Sequence, residues 1–331
     1  MKPIHAVAII LMIVSLLSAA CDNPADDNSN NNLVEIDSSQ IALNVLNNGR
    51  LGNPFVYGML FTEPGHTDED LLWTGFLLAA TEKHDYHLIP EFNYDWMAVD
   101  ENGEPLPLEP MERDENNGYY CHYVNSGFEY WNADVEQWVL LYPLGSELSR
   151  VSIINTQFTW LGGTAIDSLY LGWEVDFDIA QGGAITADAA SRDDRVEYDV
   201  SRSMIYMWDG DDPVNAGDDT GEYGEATGYA GLACLSSNVP ISSLQWLDRS
   251  DHFDFESERF QIFTRGQGSG DQPYVRPVID TPDDYRVMFG IGPVAPDSGD
   301  VFTISIALCA GRSLEELQTA VDAAKNSSNS Y

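Results

Sequence analysis

Apolar and polar positions alternate along most of the chain, and strand signals dominate. The pattern predicts strands at Ile41–Leu46, Phe55–Phe61, Leu72–Ala79, Tyr119–Val124, Gln137–Tyr142 and Arg150–Trp160. Further strands are predicted at Ser168–Ile179, Arg195–Trp208, Ala226–Leu235, Ile241–Leu247, Arg259–Thr264, Tyr285–Ile291 and Val301–Cys309. Turn formers separate them: Asn48-Gly49, Asn102-Gly103, Asn117-Gly118, Gly162-Gly163 and Asp209-Gly210. Asn-Gly between apolar runs signals a hairpin, because both residues tolerate positive φ. One helix is predicted, at the C-terminal end. Ser313 and Glu316 have capping-box spacing, and Leu314, Leu317, Val321 and Ala324 form a helical apolar stripe. Many strands with a single closing helix predict an all-β fold: a large antiparallel β-sandwich or layered supersandwich with a short C-terminal α-helix.

The chain opens differently. Lys2 and His5 precede an apolar run, Ala6 to Leu17, followed by Ser18-Ala19-Ala20 and Cys21. A basic start, a short apolar stretch and small residues before a cleavage point are the parts of a secretory signal. The run is short for a transmembrane helix. A cysteine directly after the small residues resembles a bacterial lipobox, although Ser18 stands where leucine is usual and Leu17 lies one position further back. The resemblance implies cleavage before Cys21 and a lipid on its sulfur; ordinary secretion and an uncleaved anchor are the rivals. Residues 1–20 are thus expected to be a signal peptide, 21–40 an Asp- and Asn-rich tether unable to bury apolar area, 41–325 the β-rich body, and 326–331 a frayed tail. The body is expected to be one large unit or two packed sandwiches with a boundary near 145.

Composition narrows the partners. The 54 acidic residues outnumber the 15 basic ones, for a net charge of −39. Nucleic acid is excluded as a partner, because phosphate binding needs a basic footprint. Unaided binding to anionic headgroups is disfavoured for the same reason. The membrane is therefore expected to be reached through the lipid alone. Such charge excess destabilises a compact state unless salt or bound cations offset it, which fits salty or calcium-containing surroundings. Besides Cys21 the chain has Cys121, Cys234 and Cys309. They allow one disulfide or serve as small buried apolar residues; their spacing suggests no zinc site.

The segment Ser168–Ile179 carries the most chemistry. In a strand, Trp173, Val175, Phe177 and Ile179 share one face, and Glu174, Asp176 and Asp178 share the other. Carboxylates in a row repel unless solvated or neutralised. A second acidic run, Asp209 to Asp212, follows the strand ending at Trp208. Hard oxygen ligands on a tight turn suit Ca²⁺, so Asp176, Asp178, Asp209, Asp211 and Asp212 are the candidate calcium ligands. The competing reading is a solvated face, or ion pairs with arginines such as Arg195 and Arg202.

Other constellations are weaker. Glu174 with Asp176, or Glu129 with Glu136, has the residue types of a glycosidase pair, but 54 acids make any choice of two arbitrary. His84 and His87 need a turn to share a metal. Tyr119, Tyr120, Tyr123, Phe128, Tyr130, Trp131 and Trp138 form an aromatic cluster, either core or a platform for sugar or protein. No nucleophile elbow, zincin, P-loop or dinucleotide fingerprint is present, and Gly266-Gln-Gly-Ser-Gly270 has the wrong spacing for either glycine motif.

Several stretches together resemble a set of large, uncharacterised exported proteins of environmental bacteria. They are Asp167–Ile179, Ile205-Tyr-Met-Trp-Asp-Gly-Asp-Asp-Pro213, Gly228-Tyr-Ala-Gly231, Val287–Pro293, Pro296-Asp-Ser-Gly-Asp300 and Ala310–Leu317, with Asn47–Gly52 and Leu72–Phe76 as opening strands. In those proteins the β-rich region often accompanies peptidases or secretion-sorting modules, neither of which is visible in these 331 residues. The resemblance implies an exported, β-rich and non-catalytic region and carries no catalytic residues over. The expected function is a lipid-anchored, acidic surface protein that binds glycan, a protein partner or Ca²⁺. An exported polysaccharide hydrolase and a structural envelope scaffold are the alternatives.

Overall fold

The computed structural model describes residues 40–45, 49–52, 58–63, 69–72, 74–81, 112–113, 118–125, 131–163, 165–181, 194–210, 228–248, 251, 256–266, 272–278 and 283–328. All of them belong to the unit Val34–Tyr331. The expected signal segment, Cys21 and the tether lie outside the described residues, as do His84 and His87.

The described chain is mostly β-strand, arranged in three sheets. The strands are β1 (Ile41–Leu43), β2 (Met59–Phe61), β3 (Glu69–Asp70), β4 (Thr74–Thr81), β5 (Glu112–Arg113), β6 (Gly118–Asn125), β7 (Trp131–Leu141), β8 (Val151–Gly163) and β9 (Leu169–Asp176). They continue as β10 (Ala180–Gln181), β11 (Asp194–Asp199), β12 (Met204–Asp209), β13 (Tyr229–Ser237), β14 (Ile241–Leu247), β15 (Tyr274–Val275), β16 (Arg286–Val294) and β17 (Val301–Gly311). Two helices are described, α1 (Glu256–Thr264) and α2 (Leu314–Ser328). The largest sheet has the order β11-β12-β13-β17-β8-β7-β6-β5, the second β15-β14-β16-β9-β4, and a small sheet β1-β2-β3-β10. Pairing is antiparallel except between β14 and β15.

Burial follows the alternation that β-structure imposes. Along β7, Ala133, Val135, Gln137, Val139 and Leu141 are buried while the residues between them are half-exposed. Those buried apolar residues meet Trp173, Val175, Val287 and Phe289 of the second sheet in one shared core. Ile41, Leu43, Met59 and Phe61 of the small sheet belong to the same core. This is the layered β-sandwich that the strand pattern predicts. Residues 142–150 connect β7 to its sheet neighbour β8, and the shared core draws on strands from both sides of them.

The second sheet is covered on both faces, so a strand such as β4 reads as a nearly continuous apolar run rather than an alternating one. All eight residues of β4 are buried. Its outer face carries a second apolar cluster, including Phe76, Leu78, Tyr170 and Met288, capped by Ile262 and Phe263 of α1. The outer face of the large sheet is covered in part by α2, which buries Leu317, Ala320, Val321 and Ala324 against Val151, Ile153, Ala233 and Ala307. Ser313 Oγ accepts the Glu316 N–H as its capping spacing predicts, while the Glu316 carboxylate accepts from the Arg312 N–H one residue upstream.

Three expectations change. Arg259–Thr264 is not a strand but most of α1. Phe260 and Ile262 mimic two-residue alternation, yet Phe260 and Phe263, one helical turn apart, both pack on Tyr170 at ring distances of 5.7 and 5.9 Å. The seat for Phe263 is a gap left by two paired glycines. A Cβ on Gly172 would lie 2.8 Å from the Phe263 ring, and one on Gly290 equally close. Gly290→Ala is expected to lift the helix and cost about 1–3 kcal/mol by overpacking. In urea the midpoint falls with an unchanged m-value; an unchanged midpoint would show that α1 is not seated there.

Arg195–Trp208 is two strands rather than one. A 3-10 turn at Val200–Arg202 folds β11 back on β12, with Asp199 accepting from the Arg202 N–H and Ser203 in the left-handed region at φ 48°. Asp199 and Ser201 are the turn-forming residues that mark this break. Gly162-Gly163 is not a turn but the end of β8. Its φ values of 121° and 149° accompany a bulge opposite Asn132 and Ala133. Cys234 and Cys309 are free and buried, Cys234 in the inter-sheet core and Cys309 beneath α2. They act as small apolar residues, and burial pushes the Cys234 thiol up to about 12.

Candidate functional site

The acidic face of β9 divides into two environments. Trp173 and Val175 enter the core, with Phe177 and Ile179 continuing that face beyond the strand end. Glu174 lies on the opposite face between Phe76 and Met288 in register and is 1% exposed. Arg286 Nη1 lies 2.8 Å from its Oε1. This burial and pairing place Glu174 in a structural ion pair rather than over an open cleft. Asp176 and Asp178 stand at the other end, where β9 meets the start of its antiparallel neighbour β16.

That meeting brings in Asp284. Arg286 opposes Asp176 in register, so the residues just before β16 run past the end of β9. One carboxylate oxygen from each of Asp176, Asp178 and Asp284 lies within 4.8 Å of the others. Asp178 is buried and the other two are half-buried. Two oxygens on opposite sides of one Ca²⁺ stand roughly 4.8 Å apart at usual bond lengths, so this spacing fits a single ion. Burial matters too: three carboxylates in a partly dry site repel more strongly than on a wet surface, and positive charge beside them, from an arginine or a divalent cation, offsets that repulsion.

Of the five candidate calcium ligands, three lie among the described residues. Asp176 and Asp178 converge. Asp209 is buried at the end of β12, opposite Asp194 of β11. The Asp283 N–H donates to the Asp194 carbonyl at 3.1 Å, which ties the segment bearing Asp284 to that edge. Asp211 and Asp212 lie outside the described residues. Asp284 is the member of this cluster that sequence reasoning missed. Its signal is an acidic pair, Asp283-Asp284, directly before a strand; only the pairing of β16 with β9 turns that into a site.

The remaining candidates resolve differently. Glu136 accepts a hydrogen bond from Gln157 at 2.7 Å on the outer face of the large sheet, and Glu129 lies outside the described residues. Arg202 pairs with Asp199 and Asp322, which ties the 3-10 turn to α2. In the aromatic cluster, Trp138 is half-buried on β7; the side chains of Tyr119, Tyr120, Tyr123, Phe128, Tyr130 and Trp131 lie outside the described residues.

No protein-family model matches the chain, and no curated protein matches it. Among solved structures it is similar to the heparan sulfate lyase HepC from Pedobacter heparinus, at 8% identity and a TM-score of 0.31, over 66% of this chain and 25% of that one. A putative kojibiose phosphorylase from the human microbiome aligns at 10% identity and a TM-score of 0.37, over 91% of this chain and 37% of the other. A polysaccharide lyase aligns at 8% identity and a TM-score of 0.36, over 87% and 35% respectively. The chain spans about a quarter to somewhat over a third of the length of these proteins. At these identities and TM-scores the likeness bears on neither substrate nor activity.

Proposed function

We propose that this chain is an exported, lipid-anchored binding module whose β-sandwich body holds a calcium ion through Asp176, Asp178 and Asp284. The observation that carries the reading is the convergence of three carboxylates from two strand ends more than a hundred residues apart in sequence, within single-ion distance and with Asp178 buried. A bound cation also offsets part of the −39 net charge that opposes compaction. Anchoring rests on the apolar run before Cys21 and the small residues at 18–20. The burial of Glu174 against Arg286 favours binding over carboxylate-pair hydrolysis.

Calorimetry of the chelator-stripped full chain tests the ion. Ca²⁺ is expected to release or absorb heat at one site and, at about 100 times its dissociation constant, to raise the melting temperature by roughly 5–10 °C. Asp178→Asn is expected to abolish both effects while Asp297→Asn, at an exposed turn, keeps them. A stripped chain giving no heat and no shift ends the calcium reading. Palmitate labelling of the parent and of Cys21→Ser tests the anchor separately; incorporation that persists in Cys21→Ser defeats it.

A further inference from the structure

The turn at 142–150 and the first turns of α2 border a cavity of about 540 Å³ that lies open to solvent. Its buried lining is a locked polar surface. Ser149 Oγ donates to Gln40 Oε1 at 2.8 Å, and Arg150 Nε reaches the same oxygen at 3.3 Å. The Gln40 N–H donates to the Ser149 carbonyl at 3.1 Å. Arg150 is held further by Glu63 at 2.6 Å and Glu316 at 2.7 Å. Gln40 and Ser149 are themselves buried, so this wall does not have to reorganise when a ligand arrives. The exposed lining is Glu147, Glu315 and Thr319.

Size and lining restrict what enters. The volume is that of a small-molecule site, but such sites are mostly apolar. Here Ala320 is the one apolar lining residue. A flat aromatic or fatty ligand would find nothing to stack on and would strip water from the exposed Glu147, Glu315 and Thr319 side chains without replacing it. A ligand covered in hydroxyl groups both donates and accepts, and so meets each of them. Charge sets the sign. Arg150 is matched by Glu63 and Glu316, so Glu147 and Glu315 leave the cavity negative within a chain of net charge −39. Sulfated, phosphorylated and uronic-acid ligands are repelled.

We propose that this cavity binds a short saccharide built of neutral or amino sugars. The proposal rests on the reading of the chain as a binding module, but on residues separate from the three aspartates, so each can fail alone.

The test is titration of the full chain in detergent, with and without EDTA, using a neutral glucan tetrasaccharide, a chitosan tetrasaccharide and a galacturonate tetrasaccharide. The neutral or the chitosan probe is expected to bind whether or not calcium is present, and the galacturonate probe is not. Thr319→Trp, an exposed helix position pointed out by its place in the lining, is expected to fill the cavity. It should weaken binding at least about tenfold at an unchanged melting temperature. Glu147→Gln combined with Glu315→Gln is expected to weaken the chitosan probe by about tenfold and spare the neutral one. Absence of binding by both the neutral and the chitosan probes, preferential binding of galacturonate, or undiminished binding in Thr319→Trp overturns the proposal. Loss of saccharide binding in EDTA alone would assign it to the calcium site instead and equally overturn it.

Discussion

Replacing Arg312 with alanine is expected to lower the stability of the chain by about 3–5 kcal/mol, the range for breaking a buried ion pair from one side. Arg312 follows β17 and precedes the cap of α2. Its Nη1 lies 2.5 Å from Glu69 Oε1, and the side chains are only 11% and 2% exposed. Its Nε reaches Glu63 at 3.4 Å, and the guanidinium sits 4.7 Å from the centre of the Phe61 ring. Glu63 continues to Arg150 and from there to Glu316, whose carboxylate also accepts from the Arg312 backbone. The chain of charges thus joins the small sheet, the large sheet and the helix. Removing the guanidinium takes a paired positive charge away from a carboxylate that water cannot reach.

Two comparisons separate this network from ordinary surface pairing. Arg202→Ala removes contacts to Asp199 and Asp322 that are partly exposed, with Asp322 at 50%, and is expected to cost less than about 1 kcal/mol. Adding Glu69→Gln to Arg312→Ala is expected to restore part of the loss, because a neutral amide needs no counter-charge. Urea unfolding of the three variants reads the result. A loss below about 1 kcal/mol for Arg312→Ala would place the network at the level of a surface pair and sink the argument.

What the sequence made legible, and what it hid, follows from the range of each interaction. The faces of β9 are legible because strand geometry is local: Trp173 and Val175 go inward, Glu174 and Asp176 outward. The start of α2 is legible because Ser313 and Glu316 lie within one turn. The site itself is not, because Asp284 reaches Asp176 and Asp178 only through the register of β16 on β9. A register set over more than a hundred residues leaves no mark in either segment alone. The helix at Glu256–Thr264 is hidden for a similar reason, since its seat is made by Gly172 and Gly290 of two other strands. Glu69 and Asp70 are the clearest case. They fall outside every predicted strand, yet both are 1% exposed and form β3.

Asp70 gives the second large effect, and it depends on pH. Burial pushes its carboxyl up to about 7, against the opposing influence of the backbone N–H groups of Gly58, Leu72, Met59 and Leu71. The Gly58 N–H donates to Oδ1 at 3.2 Å. Below about pH 4 the group is protonated whether the chain is folded or not, and it carries no penalty. Between about pH 4 and 7 the unfolded chain releases this proton while the folded chain keeps it. The folded state binds more protons there, so stability falls as pH rises and levels off above about 7. The gap between this value and that of an unfolded aspartate corresponds to about 4 kcal/mol. Asp70→Asn keeps an acceptor oxygen for Gly58 and cannot ionise. Its stability relative to the parent is therefore expected to climb by about 4 kcal/mol from pH 4 to pH 8, whatever the other acids do, because they titrate in both proteins. Paired urea melts across that range measure the difference. A difference that stays flat with pH would mean that Asp70 ionises in the folded protein as readily as in the unfolded chain.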